Sequence, residues 1–195
     1  MTQPSGRVRV YIACSLDGFI AGPHDELEWL TQERPGDRPL AAGAWASRQA
    51  DGLSYEEFTS DIGAMLMGRG TYDVVAGFDE WYYGDLRVLV ATSRPLENAP
   101  STVSALTGDI TNLVDAARAA ANGKDVYVDG GSVNRQCLDA GLVDELTVTV
   151  MPTVLGHGRP LFAGTTSVHE MTVMDVSKYE SGMIQLHMRP AGARR

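Results

Sequence analysis

The stretch that decides the fold is Asp125-Val-Tyr-Val-Asp-Gly-Gly-Ser-Val-Asn-Arg-Gln-Cys-Leu138, in the second half of the chain. It begins with Val126-Tyr-Val128, whose β-branched and aromatic side chains favour a short buried strand. Two glycines then allow a sharp turn, and residues 132–140 follow a helical pattern that Gly141 ends. A strand, a Gly-Gly turn and a helix predict a point where unsatisfied N–H groups gather, which suits a phosphate. The alternative is a tight turn without a ligand, because Gly-Gly alone is a weak signal.

Composition and charge narrow the classes of protein to which the chain can belong. It has 195 residues, enough for a single domain over 1–195 that buries roughly 70% of its unfolded surface. Hydrophobic residues make up 44% and charged residues 21%, which is typical of a globular protein. The net charge of −9 argues against nucleic acid or an anionic membrane as a partner. We therefore expect a small-molecule substrate.

Two further features predict a cytoplasmic location. Cys14 and Cys137 stand in apolar contexts that are typical of buried thiols in a reducing compartment. No stretch reaches the ~18 apolar residues of a membrane span, and the polar first residues do not resemble a signal peptide.

Strand and helix patterns alternate along most of the chain. Strands are predicted at residues 8–14, 64–67, 86–91, 102–106, 126–128 and 145–151. Helices are predicted at residues 54–62, 71–75, 111–121 and 132–140. Two alternating runs, 170–179 and 183–188, predict a terminal antiparallel hairpin. This order predicts an α/β domain with a mainly parallel sheet and an antiparallel edge.

Residues 22–52 lack periodicity and contain several Pro and Gly residues, which predicts a long loop. A turn of helix is expected near residues 44–50, and Trp29 and Trp45 would anchor the loop. Loops of this length inside a domain are often functional lids.

Three predicted strands end in similar polar turns, at Gly68-Arg-Gly-Thr71, Thr92-Ser-Arg94 and Gly130-Gly-Ser-Val133. Ligands of open parallel sheets lie at the carboxyl ends of the strands. Backbone N–H groups of a glycine turn could bind a pyrophosphate, and Arg69 and Arg94 could bind a terminal phosphate. A ligand with both features looks like NADPH. The alternative is that the two arginines are surface cations.

The chain resembles the dihydrofolate reductase-like family, in the branch related to the C-terminal reductase domain of the bifunctional riboflavin-biosynthesis deaminase/reductase. The motifs that carry the resemblance, in the family's order, are Ser15-Leu-Asp-Gly-Phe-Ile-Ala21, Leu66-Met-Gly-Arg-Gly-Thr-Tyr72, Val88-Leu-Val-Ala-Thr-Ser-Arg-Pro95, Val126-Tyr-Val-Asp-Gly-Gly-Ser132 and Pro152-Thr-Val-Leu-Gly-His-Gly-Arg-Pro-Leu-Phe162. The resemblance implies a three-layer α/β fold with a mostly parallel central sheet, a C-terminal antiparallel hairpin and helices on both faces. It also implies a homodimer.

The resemblance further implies that NADPH is the cofactor, with Ala13 and Ile20 beside the nicotinamide. The residues implied to contact its phosphates are Gly68, Arg69, Thr71, Thr92, Ser93, Arg94, Gly130, Gly131, Ser132 and Val133. Among these, Arg69 and Thr92-Ser-Arg94 would lie near the 2′-phosphate, and the glycine turn at 130–133 would wrap the pyrophosphate.

The acid that protonates the substrate is open at this stage. Folate-reducing members of the family carry a carboxylate on the first helix, where this chain has Ser54, with Glu57 one turn later. Glu57 is one candidate, and its alternative role is to complete a capping box with Ser54. Asp17 is the other candidate, and its alternative role is to cap its own turn. A bound water is a third source, and Arg48 and Arg159 could hold a substrate phosphate.

The function implied is an NADPH-dependent reductase that transfers hydride to a small heterocyclic substrate. It would be similar to 5-amino-6-(5-phosphoribosylamino)uracil reductase or dihydrofolate reductase. The alternative is an NADPH-binding module of the same fold without turnover. No metal site is expected, because His24 and His157 lack Cys or His partners at ligand spacing.

Overall fold

Strands and helices alternate through residues 6–31 and 52–192, the part of the chain that the computed structural model describes. The strands are β1 (Val8–Ser15), β2 (Phe19–Ala21), β3 (Ile62–Gly68), β4 (Arg87–Ala91), β5 (Val103–Leu106), β6 (Asp125–Asp129), β7 (Glu145–Met151), β8 (Arg159–Pro160), β9 (Met171–Lys178) and β10 (Ile184–Pro190). The helices are α1 (Glu28–Thr31), α2 (Tyr55–Ser60), α3 (Arg69–Val75), α4 (Ile110–Ala120) and α5 (Gly131–Asp139).

Eight of these strands form one sheet in the order β5-β4-β3-β6-β1-β7-β10-β9. The pairs from β5 to β7 are parallel, whereas β10 is antiparallel to both β7 and β9. The stretch 125–138 supplies β6, which lies between β3 and β1. Val126 therefore pairs with Ala64 on one side and with Val8 on the other. The predicted α/β fold with a mostly parallel sheet and a terminal antiparallel hairpin is confirmed.

Helices cover both faces of the central strands. Successive side chains of a strand point to opposite faces, so neighbouring residues pack against different helices. Leu66 of β3 belongs to a buried cluster that also contains residues of α4 and α5. Its neighbour Met67 belongs to a second cluster, which contains Phe58 of α2 and Tyr72 of α3. The three-layer arrangement is therefore confirmed as well.

The structure departs from the sequence predictions in the segments around residues 19–31 and 155–160. Residues 19–21 and 159–160, where no strand was predicted, pair as the short antiparallel ribbon of β2 and β8. Strands this short show no periodicity in the sequence. Each of them is defined by its pairing with the other, which is distant in the chain. Helix α1 occupies part of the predicted loop, while Trp45 and the helical turn expected near 44–50 lie outside the described residues.

Two further features of the described residues concern membrane spans and metal sites. None of the helices described is long and apolar enough to span a membrane. Among the residues that the structure describes, no three His, Cys, Asp or Glu side chains lie close enough together to hold a metal ion.

Candidate functional site

The carboxyl ends of β1, β3 and β6 open onto a cavity of about 870 Å³. Predicted cofactor residues that line it are Ala13, Ile20, Gly68, Arg69, Thr71, Gly130, Gly131, Ser132 and Val133. Thr92, Ser93 and Arg94 do not line it, although Ala91 just before them does. The sheet order explains this grouping, since β6 separates β1 from β3 and all three strands run in one direction. The roles assigned to these residues stay predictions.

Two helices begin at this cavity without a side-chain cap. Helix α5 begins after Gly130 and α3 begins after Gly68, and neither glycine can accept a hydrogen bond through a side chain. By contrast, Ser54 caps α2 and Asp109 caps α4 through oxygens that accept backbone N–H bonds. The first N–H groups of a helix need acceptors and carry partial positive charge. An anion in the cavity would supply those acceptors.

Glycine is required where the turns before α3 and α5 meet. Gly130 has φ of 92°, and a Cβ there would collide with the hydroxyl of Thr71. A Cβ on Gly131 would lie 2.6 Å from the carbonyl oxygen of Pro160, so α5 packs closely against β8. A Cβ on Gly70 would meet no atom within 4 Å. The cavity therefore has bare backbone on its walls, and Gly70 has room for a side chain.

The two arginines predicted to bind a terminal phosphate share one carboxylate, that of Asp73, and of the two Arg69 lines the cavity whereas Arg94 does not. The Nε of Arg69 donates to Oδ1 of Asp73 at 2.6 Å, and Nη2 of Arg94 lies 3.7 Å from Oδ2 of the same carboxylate. Arg69 also donates to the carbonyl oxygen of Pro95 at 3.1 Å. The hydroxyl of Thr92 accepts from the backbone N–H of Arg94. Asp73 offsets one of the two positive charges and leaves a net cationic corner.

The carboxylates predicted to donate a proton, Glu57 and Asp17, do not line the cavity. Glu57 accepts from the backbone N–H of Ser54 at 3.0 Å, completing the capping box, and these bonds lower the pKa of its carboxyl. Asp17 accepts from the hydroxyl of Ser15 and from the backbone N–H groups of Leu155 and Gly156. Those bonds, with that of Ser15 the largest, lower the pKa of Asp17 to about 2. The capping and turn roles are thus occupied, and a catalytic role for either residue stays a prediction.

The carboxyl group of Asp129 lines the cavity, although the sequence did not predict it as a site residue. It is the last residue of β6, and Oδ1 accepts from the backbone N–H of Gly130 at 2.8 Å. Burial raises the pKa of Asp129 to about 6, since the single N–H bond compensates only part of the lost hydration. The available signal was its position, directly before the glycine turn and at the carboxyl end of a central strand.

Tyrosine side chains surround Asp129. Burial is the largest cause that raises the pKa of Tyr55, Tyr83 and Tyr127 above the ordinary value. The charge of Asp129 is the next cause for Tyr83 and Tyr127, and for Tyr55 it follows the effect of Tyr82. The hydroxyl of Tyr127 donates to the carbonyl oxygen of Tyr11 at 2.8 Å, which fixes its ring beneath the cavity. These tyrosines keep their protons at neutral pH and can act as hydrogen-bond donors.

Arg159, a candidate for holding a substrate phosphate, lines the cavity but has a carboxylate partner. Its Nε and Nη2 donate to the two oxygens of Asp25 at 2.7 and 3.0 Å. This bidentate pair ties the segment after β2 to β8 at the cavity mouth. Arg48, the other candidate, lies outside the described residues.

A family model described as the RibD C-terminal domain matches residues 82–185, just over half of the 195 residues. The chain belongs to this family. The resemblance deduced from the motifs is thereby confirmed. Two relatives align with most of this chain and with most of their own lengths. They are the uncharacterized proteins YyaP and YwjB of Bacillus subtilis (strain 168). They are 22% and 26% identical to this chain, over 92% and 91% of it and over 93% and 94% of their own lengths.

Three solved structures share the fold of this RibD C-terminal domain. A putative riboflavin biosynthesis protein from Shewanella sp. PV-4 superposes with a TM-score of 0.78 at 25% identity, over 95% of this chain and 99% of that one. The Thermotoga maritima diaminohydroxyphosphoribosylaminopyrimidine deaminase/5-amino-6-(5-phosphoribosylamino)uracil reductase gives 0.61 at 19% identity, over 96% of this chain and 57% of that one. Enterococcus faecalis dihydrofolate reductase, in complex with NADP(H), gives 0.60 at 14% identity, over 95% and 97%. The last two likenesses show the fold.

Proposed function

We propose that the protein is an NADPH-dependent reductase that delivers hydride to a small planar heterocycle. The observation that carries the proposal is the uncapped start of α5, which opens onto the same cavity as Gly68 and Arg69. Family membership and the cofactor in the Enterococcus faecalis neighbour support the choice of NADPH. When bound, NADPH supplies the hydride.

The chain's own groups would bind and orient the cofactor. Backbone N–H groups at the start of α5, and the bare backbone at Gly68 and Gly130, fit a pyrophosphate. The cationic corner of Arg69 and Arg94 fits the 2′-phosphate, which NADH lacks. Ala13 and Ile20 supply small and apolar walls for the nicotinamide.

We assign the proton that accompanies hydride transfer to the carboxyl group of Asp129. A pKa of about 6 leaves a useful fraction of the group protonated near neutral pH, which suits a general acid. Asp17 and Glu57, with lowered pKa values and hydrogen bonds of their own, hold protons poorly in the same range. A cytoplasmic location agrees with the two buried free thiols, Cys14 and Cys137.

Calorimetric titration with NADPH, followed by measurement of NADPH oxidation, tests the proposal. Gly70→Leu is the informative variant, because Gly70 lines the cavity and a Cβ there would meet no atom within 4 Å. We expect it to weaken NADPH binding about tenfold or more while leaving the folded state intact. Ala119→Leu, at an exposed position of α4, is the control.

Three outcomes separate the possibilities. Tight NADPH binding that Gly70→Leu weakens, with oxidation in the presence of a heterocyclic acceptor, supports a reductase. Binding without oxidation against pterins, quinones and aminopyrimidine ribityl compounds supports the binding module instead. No binding of NADPH by the unmodified protein contradicts both.

A further inference from the structure

One end of the cavity is built from aromatic rings around a single carboxylate. We call it the tyrosine end, and its residues are Tyr55, Tyr82, Tyr83, Tyr127 and Asp129. The ring centroids of Tyr55 and Tyr82 lie 5.8 Å apart, and those of Tyr82 and Tyr83 lie 5.3 Å apart with the rings nearly perpendicular. The carboxylate of Asp129 raises the pKa of Tyr55, Tyr83 and Tyr127, so its charge reaches all three rings. Such an end offers π faces and an acceptor.

The arginines that line the cavity in the described residues already have acceptors of their own. Arg159 is held by both oxygens of Asp25, and Arg69 is held by Asp73 and the carbonyl of Pro95. Arg135 donates to the carbonyl oxygen of Pro160 at 2.9 Å. None of these arginines belongs to the tyrosine end, where the nearby charge is negative.

We propose that the tyrosine end selects a planar nitrogen heterocycle that is uncharged or cationic over an anionic one. The proposal rests on the reductase function proposed above and names its substrate class. A cationic ring gains from the faces of the tyrosines, because the negative face of an aromatic ring attracts a cation. An anionic ring would stand beside the carboxylate of Asp129, and like charges in a cavity of low dielectric repel strongly.

A series of probes with the same ring and different charge tests the proposal. The probes are N-methylquinolinium, quinoline and quinoline-6-carboxylate, titrated at neutral pH into the protein saturated with NADPH. Calorimetry gives the dissociation constants. Tryptophan fluorescence checks them, because the ring centroids of Trp81 and Tyr83 lie 5.5 Å apart. We expect the cation to bind about tenfold or more tightly than the anion, with quinoline between them.

Two variants locate the effect. Asp129→Asn keeps the acceptor for Gly130 but removes the charge, so the preference for the cation over the anion should fall to about threefold or less. Asp115→Asn removes the same charge from an exposed position on α4 and should leave the preference in place. Tyr82→Ala, at a ring that is 60% exposed, should weaken the binding of quinoline and N-methylquinolinium alike.

Equal binding of the three probes, tighter binding of the anion, or a preference that Asp129→Asn does not change would overturn the proposal. The parallel NADPH titration keeps the two proposals apart. Failure to bind NADPH contradicts the reductase function, whereas failure of the charge series with intact NADPH binding contradicts only the substrate class.

Discussion

At the scale of single residues, the carboxyl group of Asp129 combines burial with access to the cavity. Its strand, β6, is covered on both faces, and its last residue projects where the sheet ends. Removing a carboxylate from water disfavours the charged form, and one hydrogen bond from Gly130 does not restore what hydration supplied. A group that destabilises the folded state and faces a cavity is typical of a functional site.

The first prediction concerns the dependence of stability on pH. The pKa of Asp129 is about 6 in the folded state and near 3.8 when unfolded, so the unfolded state loses its proton first. The wild-type protein should therefore lose stability relative to Asp129→Asn as pH rises from about 4 to 6, and the difference should stay constant above. It amounts to about 3 kcal/mol at most. Chemical denaturation at several pH values measures it. A stability difference between the two proteins that stays the same from about pH 4 to pH 7.5 would show that burial does not perturb the pKa of Asp129.

The second prediction concerns the cationic corner. Arg69→Ala and Arg94→Ala should each weaken NADPH by about tenfold, while NADH changes little, because only NADPH carries the 2′-phosphate. Arg87→Ala, at the exposed start of β4, is a charge-matched control. Calorimetric titration with both cofactors decides, and equal losses for NADPH and NADH would remove the phosphate assignment.

At the scale of elements, α2 shows how a local motif fixes a helix start. Ser54 and Glu57 satisfy each other's backbone N–H groups, and Phe58 in the next position is fully buried against the sheet. The capping box sets where α2 begins, and Phe58 sets which face turns inward. Glu57 is exposed as a result, on the side of the helix away from the core.

The third prediction separates the two roles considered for Glu57. Ser54→Ala should cost about 1 kcal/mol of unfolding free energy, since it removes the acceptor for the N–H of Glu57. Glu57→Gln should cost much less, because glutamine can complete the same box. Denaturation curves give the free energies. Loss of NADPH oxidation in Glu57→Gln with stability preserved would instead identify Glu57 as the proton donor.

At the scale of the whole molecule, the sheet leaves an apolar edge. In the described residues β9 pairs only with β10, and its side chains Val173, Met174 and Val176 are 52%, 46% and 56% exposed. An unpaired strand edge with exposed apolar residues invites pairing with another chain. The homodimer expected from the family resemblance would have a place to form here.

The fourth prediction follows from that edge. The double variant Val173→Lys/Val176→Lys should convert a dimer into a monomer, because each lysine would bury a charge against apolar surface. Thr172→Lys, at an exposed polar position of the same strand, should not. Light scattering coupled to gel filtration measures the mass. A monomeric wild type, or a double variant that stays dimeric, would place any association elsewhere.

The sequence alone determined the elements whose signals are local. The glycine turn before α5, the capping box of α2 and the alternation of the terminal hairpin depend on residues a few positions apart, so their propensities are readable in order. The parallel direction of the strands followed from the intervening helices, and it predicted that the polar turns after β3, β4 and β6 would meet. The turns after β3 and β6 line one cavity, whereas Thr92, Ser93 and Arg94 after β4 do not line it. The predicted residues in the turns before α3 and α5 do line the cavity, while the contacts assigned to them stay predictions.

Only the tertiary structure decided what each side chain faces. The sequence left Glu57 and Asp17 between a catalytic role and a capping role. In the structure, Ser54 takes up the oxygens of Glu57, and the distant N–H groups of Leu155 and Gly156 take up those of Asp17. Asp129 looked like an ordinary strand end, yet its surroundings come from strands and helices far along the chain. Hydrogen-bond partners and burial are long-range properties, and a carboxylate's pKa follows from them rather than from its neighbours in sequence.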